Sequence, residues 1–125
     1  MTPHAQALRA YAQTTAPTRT ARGTEYEVFA RITRQLISAA RSAKQDFPAL
    51  TKALHDNRQL WTLLAADVAD DLNALPDELR GRIFYLSEFT RLHTSKVLKR
   101  EASVAPLIEV NTAIMRGLRQ EGGAK

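Results

Sequence analysis

No cysteine occurs anywhere in the 125 residues, which removes disulfides, thiol nucleophiles and thiolate metal sites and fits a reducing compartment. The five glycines, Gly23, Gly81, Gly117, Gly122 and Gly123, match neither the phosphate loop nor the dinucleotide turn, and HExxH and GxSxG are missing too. An enzyme is therefore not expected, and no cofactor or metal is implied. No stretch approaches the roughly 18 uncharged apolar residues of a membrane span, and the N-terminus lacks the basic head and apolar run of a signal peptide. A cytoplasmic protein with no membrane contact is the default expectation.

What remains is an ordinary globular composition, 44% hydrophobic and 25% charged, with length for one domain and one core. The net charge of +5 invites an RNA-binding reading, but the charges lie in blocks. Residues 1–45 hold seven basic and two acidic groups, 46–79 two and seven, 80–100 six and one, and the remainder balances. Blocks of alternating sign suit neighbouring helices that attract each other, so part of the charge is used internally.

Helical period runs through nearly the whole chain and strand alternation is absent, so the expected fold is all-α, a single-domain bundle of four to six amphipathic helices over residues 1–125. Residues 4–13 carry a weak stripe, Ala5, Leu8, Tyr11 and Ala12; residues 14–23, with Pro17 and Gly23, read as a loop, and residues 120–125 as a frayed tail. Thr24 and Glu27 have capping-box spacing, which predicts a helix from there to about Ala43 with Val28, Phe29, Ile32, Leu36, Ala39 and Ala43 on its buried face.

The next helix opens near Pro48 and keeps Leu50, Leu54, Asn57, Trp61, Leu64, Ala65, Val68 and Leu72 in phase. Asn57 admits two roles: the favoured one is a cap that restarts the helix after a break at "HDN", the other a buried amide bonded across the bundle. A helix from Asp77 to about Arg100 aligns Leu79, Ile83, Leu86, Phe89, His93 and Val97; Tyr85 and Leu92 widen this arc, which predicts a central helix with Trp61 packed near Phe89 or Leu86. The last helix opens at Pro106 and carries Leu107, Ile108, Asn111, Ile114, Met115 and Leu118.

Five carboxylates lie between Asp67 and Glu78, around "NALPDELR" (73–80). Asp67, Asp70 and Asp71 share a helix face and could hold a hard cation, but a solvated or arginine-paired face is preferred. Asn73 suits a left-handed helix end, Leu75 a plug between helices, Pro76 a helix start, and Asp77 and Glu78 a first turn, so the stretch reads as a corner. His93, close to Thr90 and Thr94, reads as a packed, hydrogen-bonded histidine rather than a base, and Trp61 and Phe89 as core. Leu63 and Phe84 fall off their stripes and point outward.

Taken in order, "AYAQ" (10–13), "TEYEVFARITRQLI" (24–37), "NRQLWTLLAADVAD" (57–70), "NALPDELRGRI" (73–83), "FTRLHT" (89–94) and "PLIEVNTAIMRGL" (106–118) resemble the flagellar biosynthesis regulatory protein FlaF family. Asn57, Trp61, Asn73, Leu75, Pro76, Leu79, Phe89, His93 and Asn111 are the motif positions within these stretches. The resemblance implies a non-enzymatic cytoplasmic protein that binds flagellin as a chaperone or regulator, alongside the flagellin translation regulator FlbT. RNA contact with flagellin messenger is the alternative, favoured by basic segments 19–44 and 80–100 but without a recognised RNA module. For flagellin, the off-stripe Phe84, the marginal Tyr85 and, as a lid, Tyr11 are the candidate residues.

Overall fold

The computed structural model describes the backbone of residues 21–123 and the side chains of residues 25–117. Among the described residues there are four helices and no strand: α1 (Ala21–Arg41), α2 (Phe47–Ala69), α3 (Asp77–Leu98) and α4 (Ala105–Gly123). The first starts earlier than its capping box predicts, so Thr24 lies inside it and the expected loop is helical from residue 21. The last continues to Gly123, into the segment expected to fray. The expected stripe at 4–13, including Tyr11, lies outside the described residues.

α2 begins where Asp46 accepts a hydrogen bond from the backbone N–H of Ala49 (3.1 Å), with Pro48 in the first turn where no N–H is needed. It then runs unbroken through "HDN", and Asn57 is buried in mid-helix. The cap reading of Asn57 is thereby corrected: its side-chain oxygen accepts a hydrogen bond from another helix, and the helix needs no break there.

Two apolar clusters fill the interior. The first gathers Leu36, Ala39, Leu50, Ala53, Leu54, Val97 and Leu107; the second gathers Phe29, Ile32, Leu60, Trp61, Val68 and Ile83. Each helix supplies one cluster from its N-terminal half and the other from its C-terminal half, in alternation, so the chain runs up, down, up and down. α2 packs between α1 and α3, α4 returns beside α1, and α3 meets α4 only slightly. The prediction of a central α3 is corrected: it stands at the edge, because Tyr85 and Leu92, which widened its apolar arc, face outward. Trp61 meets Phe29 edge-on, with ring centroids 5.7 Å apart; Leu86 packs against the same cluster, whereas Phe89 belongs to the other.

Candidate functional site

Between the two clusters lies a polar layer. Asn111 on α4 is its hub: its Oδ1 accepts from the Trp61 indole N–H (2.8 Å), while its Nδ2 donates to Asn57 Oδ1 (2.8 Å) and Thr33 Oγ1 (3.1 Å). Thr33, Asn57, Trp61 and Asn111 are all buried, so these bonds operate where water does not compete. Three helices are locked at one level, because sliding any of them by a turn would strand buried polar groups. These motif positions therefore serve architecture, and Thr33 is a member the sequence reading did not single out.

The acidic corner is also structural. Arg80 reaches back from α3, and its Nε donates to the Val68 carbonyl (2.8 Å) and its Nη2 to the Asp70 carbonyl (3.0 Å), supplying partners at the C-terminal end of α2. Asp77 faces the same guanidinium at 3.3 Å. Asn73 closes the turn through its side chain: Nδ2 donates to the Asp67 carbonyl (3.1 Å) and Oδ1 accepts from the Leu75 N–H (2.9 Å). It is not left-handed as predicted, since among the described residues only Arg100 has a positive φ, 63°. Leu75 and Leu79 pack against the second cluster and Pro76 precedes α3, as a corner requires. Leu72 departs from its stripe, 82% exposed, because α2 stops at Ala69 and the helical phase ends with it. No three acidic or histidine side chains among the described residues converge where a metal ion could sit.

His93 stacks on Phe89 (5.3 Å, 19°) and its Nε2 hydrogen-bonds the Ser103 carbonyl at 2.8 Å, tying α3 to the turn before α4. That turn holds Arg100, whose N–H donates to the Val97 carbonyl and whose neighbour Glu101 donates to that of Lys96, both at 2.9 Å. The left-handed helix end is normally glycine's place; here the Arg100 guanidinium lies 4.2 Å over the Phe47 ring instead.

With the interior accounted for, the outer face of α3 stands apart. Tyr85 is 69%, Leu92 55% and Phe84 45% exposed. Tyr85 and Leu92, seven residues apart, lie on one side of the helix with Gly81, and Phe84 flanks them. A methyl group at Gly81 would meet nothing within 4 Å, so no packing within the described chain calls for glycine there, although glycine in a helix interior costs about 1 kcal/mol against alanine. Phe84 and Tyr85 are thus together at the surface, Leu92 joins them unforeseen, and Leu63, expected outside, is half-buried.

The family model of the flagellar protein FlaF matches residues 7–118. The chain belongs to the FlaF family. No curated protein and no solved structure matches it. As a FlaF-family protein it is a flagellar protein, and it is an all-α bundle, as the helical period implies. None of its described helices is long and apolar enough to cross a membrane. Within this FlaF-family bundle the buried layer and the corner hold the helices in register, which leaves the outer face of α3 as the candidate surface for function.

Proposed function

We propose that this FlaF-family chain acts without catalysis, binding flagellin through the outer face of α3 and so chaperoning it or regulating its production. The observation that carries the reading is the cluster of Phe84, Tyr85 and Leu92 at the surface of a bundle in which, among the described residues, Leu72 at the corner is the one other exposed large apolar side chain. Side chains of this kind at helical spacing suit the docking of an amphipathic partner helix, and aromatic anchors supply most of the energy in such contacts.

A specific observation keeps RNA as a second reading: Arg31, Arg34 and Arg41 form an exposed edge on α1. The other basic group, around Arg91, Lys96 and Lys99, belongs to α3, which stands diagonally across the bundle from α1. A single RNA track would have to pass around the bundle, which favours the protein partner.

Co-expression with the host flagellin followed by size-exclusion chromatography tests the proposal. The wild-type chain should co-elute with flagellin, and a Phe84→Ser, Tyr85→Ser variant should bind more weakly by about 1 kcal/mol or more while keeping its helicity and melting point. Undiminished binding by the folded double variant would move the docking site elsewhere. A shift of labelled flagellin transcript that weakens steeply with salt, without flagellin co-elution, would establish the RNA reading instead.

A further inference from the structure

The same face carries a second feature, a charge gradient along its length. Glu78 lies in the first turn of α3 and Lys99 follows its last residue; both are exposed and both lie on the side of Gly81, Tyr85 and Leu92. An antiparallel copy of this helix, related by a two-fold axis between positions 88 and 89, would set Tyr85 against Leu92 and Glu78 against Lys99. The symmetry repeats each pairing, giving two apolar contacts and two ion pairs from one register.

We propose that the outer face of α3 pairs antiparallel with the same face of a second copy of this chain. Charge complementarity selects this occupant, because the acidic end of the face meets the basic end only when the partner helix runs the other way. Gly81 falls beside Lys96 of the second copy, where the absence of a side chain lets the lysine stem lie flat on the helix. Glu88 falls next to the axis, and Arg91 neutralises it at 3.0 Å within its own chain, so the two copies of Glu88 do not force the helices apart. Glu78 is held only loosely by Arg82, at 3.5 Å on an exposed surface, and is available to Lys99.

One helix pair covers less than the roughly 1,200–2,000 Å² of a stable specific complex. The dimer is therefore weak and forms only at high protein concentration. It uses the surface proposed for flagellin but does not depend on that reading, and the test contains no flagellin, so the two stand or fall separately.

Sedimentation velocity from about 5 µM to about 1 mM at physiological salt reads the association directly. The wild-type mass should rise from one chain towards two. Leu92→Glu, at an exposed position, should raise the dissociation constant at least tenfold with an unchanged melting curve. Glu78→Lys and Lys99→Glu should each weaken self-association about tenfold, because each homodimer then opposes two pairs of like charge. Their equimolar mixture should recover wild-type affinity, since both pairs are complementary in the mixed dimer. A wild-type chain that stays monomeric throughout, a Leu92→Glu chain that dimerises as before, or a mixture no tighter than its components would overturn the proposal.

Discussion

Asn111 shows how much a single buried amide can hold. It partners the Trp61 indole, the Asn57 carbonyl oxygen and the Thr33 hydroxyl at once, so Asn111→Leu leaves three buried polar groups stranded and should cost about 3 kcal/mol. Asn57 satisfies one such bond, and its own Nδ2 has no partner, so Asn57→Leu should cost less than half as much. Urea unfolding of both variants, with unchanged slope, measures the difference; equal losses would mean that the hub is shared. Arg100 offers a second test at this scale. Its left-handed backbone strains any side chain but glycine's, so Arg100→Gly should melt higher than Arg100→Ala by about 1 kcal/mol of stability. Both variants lose the contact with Phe47, which isolates the backbone term. An arginine there carries no sequence signal, because composition reserves that place for glycine. Asn57 misleads for a related reason: its partner lies 54 residues away, and within its own segment an asparagine reads equally well as a cap.

At the level of helices and their joints, the corner between α2 and α3 depends on Arg80 more than on the acids around it. Arg80→Met keeps the aliphatic stem but strips partners from two carbonyls, and should lower stability by about 2 kcal/mol in a thermal melt. A shift no larger than that of an exposed substitution such as Arg82→Met would show that water caps α2 as well. Much of this scale is legible in the chain. Phe29, Ile32 and Leu36, or Leu54, Trp61 and Val68, mark buried faces because a helix repeats its environment every three or four residues, and Asp46 with Pro48, or Pro76 with Asp77, mark starts through local chemistry. Ends are less legible. Leu72 keeps the phase of α2 but lies beyond the residue where Arg80 and Asn73 terminate it, and those partners act from outside the helix they stop. The candidate face suffers the same ambiguity, since Tyr85 and Leu92 widen an apolar arc equally well whether a neighbour covers them or not.

In the bundle as a whole, α1 and α2 each lie between two neighbours, whereas α3 rests chiefly on α2 and barely meets α4. Regions with fewer buried contacts open more readily. Amide hydrogen exchange should therefore run faster along α3 than along α1 and α2 at protein concentrations too low for association; uniform protection of all the helices would point to a bundle that opens only as one unit. The arrangement of the interior has an optical consequence. Trp61 is the only tryptophan of the chain, almost fully buried, with its ring against Phe29 and its N–H bonded to α4. Its fluorescence reports the meeting of three helices from a dry environment, and its red shift follows their separation. The tyrosine at the outer surface of α3 is far less buried, so docking on that face should leave the tryptophan emission colour unchanged while unfolding moves it, and a single spectrum separates a bound chain from a melted one.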